Sequence, residues 1–306
     1  MAMKYRQWLW VLFSLGLLAN ETVTGQDQER IRIGILTDCQ YCNCQSGETR
    51  YYPLSLKKLD SCVADLNSLR LDAIFHLGDM IDHDFSSYDS VIPRFRKFSP
   101  SVNLVVGNHD FAVARRLKGS VLGKIGLKEA NYTIQIGSWQ FIVLNGDDLS
   151  FVAPQSREKK SERDSLIADL VSLLHTNMMP WNGGIGKQQL IWLERLLTET
   201  DSLKRKVVIL CHFPVFPFTW YDLWNDHELV DLLTKHPSVK AYFNGHHHPG
   251  NYGYFNGIHY VNFKGMVETS ANSYAIVTLT TDSILIEGRG REVSRRLPIS
   301  HDNNRK

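Results

Sequence analysis

Ile31-Arg32-Ile33-Gly34-Ile35-Leu36-Thr37-Asp38-Cys39-Gln40 runs from an apolar, β-branched stretch directly into a carboxylate and an amide. Arg30 to Leu36 reads as a buried strand, so Asp38 and Gln40 fall just past its end. The same pattern recurs along the chain. Leu71 to Leu77 reads as a strand and leads into Gly78-Asp79. Val102 to Val106 leads into Gly107-Asn108-His109-Asp110. Val207-Val208-Ile209-Leu210-Cys211 precedes His212, and a further apolar run precedes Gly245-His246-His247-His248. The strand ends therefore present Asp, Gln, Asp, Asn, His and two more His in chain order. Open α/β sheets place their chemistry at the carboxyl edge of the strands. Carboxylate, amide and imidazole together are the donor types of a two-metal hydrolytic site.

Helical patterns lie between these strands. Leu59, Cys62, Val63, Leu66 and Leu69 fall on one side of a helix expected from Leu54 to Arg70. Val91 to Phe98 reads as a short helix. This β-α-β-α-β alternation gives sheets layered with helices. Further on, Tyr132 to Ile136 and Gln140 to Leu144 read as a hairpin turning at Gly137-Ser138-Trp139. Arg157 to Ser172 is a charged helix, and Lys187 to Thr198 an amphipathic one with Leu190, Leu193 and Leu197 inward. Asp226 is placed to cap a helix carrying Leu229, Leu232 and Leu233. Ile258 to Phe263, Tyr274 to Leu279 and Ser283 to Glu287 read as closing strands, with the last ten or so residues polar and frayed. No internal repeat or long linker interrupts this order, and the donors span Asp38 to His248. One domain, expected over residues 26–300 ahead of a polar tail at 301–306, has to bring them together.

The chain has 306 residues, 43% of them hydrophobic, which is ample for a core. A formal charge of +2 with both signs interspersed argues against a nucleic-acid partner, which calls for clustered Lys and Arg. Lys4 and Arg6 precede an apolar stretch, Trp8 to Leu18, and Val23 and Gly25 supply small residues for cleavage. Residues 1–25 thus read as a signal peptide, with a retained anchor as the alternative, and the mature chain is expected to be exported from near Gln26. After cleavage no stable membrane association is expected, and the oligomeric state is left open. Among five cysteines, Cys39 and Cys211 are expected as buried fillers, leaving Cys42, Cys44 and Cys62 for a bridge.

Asp-x-Gln, Gly-Asp-x-x-Asp, Gly-Asn-His-Asp, a later lone His and Gly-His-x-His resemble the calcineurin-like metallophosphoesterase superfamily. Gln40 stands where most of that superfamily has His, and the manganese-dependent ADP-ribose/CDP-alcohol diphosphatase family has Gln. Arg50-Tyr51-Tyr52, Asn182-Gly183-Gly184, Trp224-Asn225, Val267-Glu268-Thr269 and Gly288-Arg289-Gly290-Arg291 are also similar to that family. The resemblance runs from Ile31 to Arg291. It implies an α/β fold, a four-layer α/β/β/α metallophosphoesterase sandwich with two facing mixed sheets. It implies two divalent metal ions, manganese first, with magnesium or iron as alternatives. One ion would be held by Asp38, Gln40, Asp79 and His248, the other by Asp79, Asn108, His212 and His246, with Asp79 bridging.

Four positive charges against the two of Asp38 and Asp79 would draw in a phosphate and favour hydroxide over water between the ions, ready to attack phosphorus in line. The carbonyl oxygen of Gln40 is harder than imidazole and tilts the site toward manganese or magnesium. His109 would serve the leaving oxygen as hydrogen-bond or proton donor, with Asp82 orienting its ring. The implied substrate is a small nucleotide: ADP-ribose, CDP-choline or a CDP-glycerol-like compound. A broader exported phosphomonoesterase or phosphodiesterase, or a non-catalytic scaffold of the same fold, are the alternatives. Asp110 is expected to order its loop only. His247, His76, His83, His227 and His259 are not expected to act. Trp181, Trp224, Asn225 and Glu268 lie in loops that could surround the ions, with core packing the competing role for the tryptophans.

Overall fold

The computed structural model describes residues 29–299; the expected leader and the polar tail lie outside them. Along the chain run β1 (Ile31–Leu36), α1 (Ser55–Asn67), β2 (Ala73–His76), α2 (Tyr88–Phe95), β3 (Val102–Leu104), α3 (Asn108–Phe111) and α4 (Val121–Ile125). Next come β4 (Tyr132–Ile136), β5 (Trp139–Val143), α5 (Arg157–Ser172), α6 (Lys187–Ser202), β6 (Lys206–Leu210) and α7 (Asp226–Thr234). The chain closes with β7 (Val239–Asn244), β8 (Asn251–Phe255), β9 (Ile258–Asn262), β10 (Ser273–Leu279), β11 (Ser283–Gly290) and β12 (Arg295–Pro298).

Two six-stranded sheets result, ordered β12-β11-β10-β1-β2-β3 and β4-β5-β6-β7-β9-β8. Parallel pairing joins β1 to β2 and β2 to β3 in the first sheet, and β5, β6, β7 and β9 in the second. Antiparallel strands fill the margins. The period-2 alternation of strand side chains explains the layering. Ile33, Ile35, Phe75 and Val277 of the first sheet meet Phe141, Val208, Leu210 and Phe243 of the second in one buried cluster. The Phe75 and Phe141 rings lie 5.0 Å apart across it. The opposite faces are covered by helices. Ile74 and Ile276 pack under Leu59, Leu66, Val91 and Phe95 of α1 and α2. Val207 and Ile209 pack under Leu193, Leu197, Leu229 and Leu233 of α6 and α7. The four-layer α/β/β/α sandwich expected from the resemblance is the fold observed. Its parallel strands, covered on both faces, are the near-continuous apolar runs read from the sequence.

Several boundaries differ from the expectation. Trp139 belongs to β5 and pairs with Ile136, so the turn is Gly137-Ser138 alone. Burial decides this, because the indole is 1% exposed in the inter-sheet core. Asp226 is the first residue of α7 rather than its cap, although its carboxylate still accepts the His227 amide at 2.6 Å. The C-terminal segment stays in the sheet through β12, because Leu297 and Ile299 plug the inter-sheet core. Strand β8 was not anticipated: Tyr252, Tyr254 and Phe255 remain at least a third exposed on this edge strand, so no alternation betrays it. Cys39 and Cys211 are buried fillers as expected, but Cys42, Cys44 and Cys62 form no bridge; Cys62 lies on the buried face of α1. No helix among the described residues is long and apolar enough to cross a membrane.

Candidate metal centre

The strand-end residues converge where the two sheets' carboxyl edges meet. Asp38 and Gln40 follow β1, Asp79 follows β2, and Asn108 and His109 open α3 after β3. His212 follows β6, and His246 and His248 follow β7. His212 Nε2 lies 3.2 Å from Asp79 Oδ2 and 3.2 Å from His246 Nδ1. His248 Nε2 lies 3.3 Å from Asp38 Oδ1. Gln40 Nε2 donates to Asp79 Oδ2 at 3.0 Å. Asn108 lines the same cleft of about 410 Å³ as Gln40, Asp79, His109, His246 and His248. A larger cleft, about 900 Å³, opens between α5 and α6 around Glu158, Glu162 and Lys187 and holds none of these residues.

The backbone is bent to bring the donors in. Asp38, Gln40, Asp79 and His246 have φ of 50°, 38°, 59° and 69°. For residues other than glycine this left-handed region costs on the order of 1–3 kcal/mol each, and such strain collects at functional sites. Glycine is required where chains crowd. A Cβ on Gly107 would come within 2.3 Å of Asp79 Oδ1 and 2.8 Å of the His212 ring. A Cβ on Gly78, whose φ is 104°, would meet the His212 ring at 2.5 Å.

Each imidazole donates one N–H away from the centre. His212 Nδ1 donates to Leu77 O at 2.8 Å, and His248 Nδ1 donates to Glu268 at 2.6 Å. His246 Nε2 donates to Asn182 Oδ1 at 3.0 Å. The Asn182 amide cannot be turned round, because its nitrogen already donates to the carbonyls of Asn177 and Trp220. The nitrogens left over, His212 Nε2, His246 Nδ1 and His248 Nε2, are turned inward, where each can take a proton or a cation. Two facing lone pairs 3.2 Å apart repel unless a proton or a cation lies between them. That spacing is what two nitrogens sharing one ion at about 2.1 Å would have. Gln40 Oε1 and Asn108 Oδ1 are buried acceptors with no hydrogen-bond partner, a costly state without a cation. The donor set therefore fits divalent ions.

Electrostatics follow from burial and neighbours. Burial pulls the His212 imidazole down, but Asp79 more than offsets it and lifts it to about 10. His246 is pushed well down, by burial and then by His212. Burial raises Asp79, yet His212 and His109 hold it well below the ordinary carboxylate range. Burial opposes the charge on His109 too, but Asp79 and Asp82 raise it overall. Its Nδ1 donates to Asp82 Oδ1 at 2.8 Å, which leaves Nε2 free to face the cleft. Asp82 also accepts from His83. Asp110 accepts the amides of Asp79, Met80 and Gly107 and the Tyr88 hydroxyl at 3.0–3.1 Å, so it orders the loops as expected.

Other residues sort themselves by contact. His76 is buried at 5.1 Å from the Phe95 ring and lies outside the cleft. His247 stacks on Tyr221, and His259 donates to Pro298 O. Trp224 is fully buried and Asn225 is spent on Ile185 and Glu228, so both are packing residues. Glu268 and Asn182 matter more than the sequence disclosed: each fixes one imidazole. Trp181, Tyr221 and Arg50 also line the cleft. Two further clusters, Cys42/Asp82/His83 and His175/Asp226/His227, bring ligand atoms within 4.8 Å of one another, but neither draws on several strand ends.

Comparison with known proteins gives the same reading. The manganese-dependent ADP-ribose/CDP-alcohol diphosphatase of Homo sapiens is 27% identical over 90% of this chain and 94% of its own length. That of Xenopus laevis is 30% identical over 86% of this chain and 89% of its own. A dimetal phosphatase from Danio rerio superposes with a TM-score of 0.78 at 26% identity, covering 88% of this chain and 99% of that one. The profile described as calcineurin-like phosphoesterase matches residues 31–250, a span that begins at β1 and ends just past His248. A match over that length, closing on the same strand ends that gather the donors, means that the chain belongs to the calcineurin-like phosphoesterase family and is a metal-dependent hydrolase.

Proposed function

We propose that the protein hydrolyses the phosphoanhydride of nucleoside diphosphate-linked small molecules, of ADP-ribose or CDP-alcohol type, with two divalent ions, manganese foremost. Asp38, Gln40, Asp79 and His248 would hold one ion, and Asp79, Asn108, His212 and His246 the other. When bound, the pair supplies Lewis acidity that makes water nucleophilic at neutral pH and offsets charge on the phosphoryl oxygens. Everything else falls to the chain. Asp79 faces both donor sets and fixes their spacing. Glu268, Asn182 and Leu77 O aim the imidazoles. Asp82 holds His109 in the tautomer with its proton on Nδ1, and the raised basicity of His109 lets Nε2 carry a second proton to the leaving phosphate oxygen. Arg50 adds a positive charge to the cleft wall for the remaining phosphate.

The observation that carries this reading is the pair of inward-facing nitrogens, His212 Nε2 and His246 Nδ1, 3.2 Å apart beside the unpartnered oxygens of Gln40 and Asn108. The names of the relatives supply the substrate type. The test is an assay with manganese of ADP-ribose, bis(p-nitrophenyl) phosphate and p-nitrophenyl phosphate side by side. ADP-ribose should be split to a nucleoside monophosphate and a sugar phosphate. Turnover of the monoester alone sinks the reading. We also place the enzyme outside the cytoplasm, on the strength of Lys4, Arg6 and the apolar Trp8 to Leu18. Amino-terminal sequencing of the mature chain should start near Gln26, and an intact Met1 would refute export by cleavage.

A further inference from the structure

We propose that Trp181 and Tyr221 form the platform that takes the planar base of a nucleotide beside the metal centre; the inference deepens the phosphohydrolase reading and rests on it. Both rings line the cleft that holds Gln40, Asp79, Asn108 and His246. Trp181 is 45% exposed, whereas the packing tryptophans Trp139 and Trp224 are 1% and 0% exposed. An indole left open at the rim of this cleft is surface that a flat, apolar-faced ligand can cover.

One side chain ties the segments that carry both rings to the centre. Asn182, next to Trp181, accepts from His246 Nε2 at 3.0 Å and donates to Trp220 O, the residue before Tyr221, at 2.8 Å. The Tyr221 turn is itself locked, because Asp222 accepts the Thr219 amide at 2.7 Å and its hydroxyl at 2.9 Å. His247 stacks on Tyr221 at 4.5 Å and 21°, which covers one face of the phenol and holds its plane. The Tyr221 half of the platform is therefore in place before any ligand arrives. At about 410 Å³ the cleft has room for a base and its phosphates but not for a macromolecule.

The manganese-loaded protein tests this in two ways. Trp181→Ala and Tyr221→Ala should each raise KM for ADP-ribose roughly 5- to 100-fold, the scale of one lost base–aromatic stack. Trp181→Phe should restore most of the loss. Hydrolysis of methyl diphosphate, a phosphoanhydride with no ring, should keep its kcat/KM in all three variants. An equal loss on both substrates, or none on either, overturns the platform. Separately, AMP should quench tryptophan emission of the wild type, and the quench should disappear in Trp181→Phe. An absent quench, or one equal in both proteins, also overturns it. A wild type that binds AMP through Trp181 yet leaves ADP-ribose intact refutes the phosphoanhydride reading and leaves the platform standing.

Discussion

The two sheet edges that meet at the centre supply different donors and hold them by different means. The edge of β1, β2 and β3 brings Asp38, Gln40, Asp79 and Asn108, all oxygen donors. Three of these four sit at positive φ. The edge of β6 and β7 brings His212, His246 and His248, all nitrogen donors. Only His246 of these has positive φ, yet every one is tied through its second nitrogen to Leu77, Asn182 or Glu268. Reach explains the contrast. A carboxylate on a short side chain is aimed by its backbone together with the amides and hydroxyl that reach it, here from His109, His246 and Thr37, so the oxygen edge stores part of its precision as dihedral strain. An imidazole is longer and has a spare nitrogen, so a tether can aim it without bending the chain. Changes on the oxygen edge should therefore strike the centre directly, and changes behind the nitrogen edge should tune it.

The largest effect belongs to the oxygen edge. Asp79→Ala should remove the carboxylate that faces both donor sets and abolish manganese binding and turnover together. His109→Ala, from the same edge but without a donor role, should lower kcat about 10²- to 10⁴-fold while manganese stays bound. Metal analysis of the two variants breaks the comparison if His109→Ala loses its ions. Behind the nitrogen edge, Glu268→Ala frees His248 Nδ1. It should weaken manganese binding about 10- to 100-fold and recover much of its kcat at saturating metal. Unchanged affinity would mean that the tether aims nothing.

The oxygen edge was also the more legible one. An apolar run ending in Asp38, Asp79 or Asn108 announces itself, because a buried strand gives no other reason for a polar residue at its tip. The nitrogen tethers were hidden. Glu268 meets a histidine 20 residues earlier in the chain, and Asn182 meets one 64 residues later, so no local spacing marks either pair. Resemblance to a family marks both stretches, but the imidazole each one meets is set by the fold and not by local sequence. Trp181 and Trp224 look alike in sequence; the first opens onto the cleft and the second plugs the core. Strand β12 is hidden for the converse reason: Leu297 and Ile299 are two apolar residues between Arg295-Arg296 and a polar tail, yet they fill the inter-sheet core.

The least effect on turnover is expected from a buried carboxylate that lies away from the cleft. Asp79 and Asp226 are both almost wholly buried, and burial alone would raise both. Asp79 ends low because His212 and His109 face it. Asp226 ends high, at about 8, through burial and then Asp222, which burial itself lifts to about 7. The two should move stability in opposite directions. Asp79, depressed in the fold, contributes stability above its unfolded value of 3.8 that is lost as pH falls through the folded value. Asp226, raised in the fold, contributes stability that is complete below 3.8 and lost as pH rises through about 8. Between about pH 4 and 8 the wild type should therefore lose stability, because the unfolded chain ionises Asp226 while the fold holds its proton. Asp226→Asn keeps an acceptor for the His227 amide and removes the ionisation, so its loss over that window should be smaller by on the order of 2 kcal/mol. Turnover at neutral pH should barely change, since Asp226 lines no part of the cleft. Melting curves of both proteins across that range decide it. Parallel pH profiles would show that Asp226 is already ionised at neutral pH, and that burial governs these acids less than the neighbouring imidazoles do.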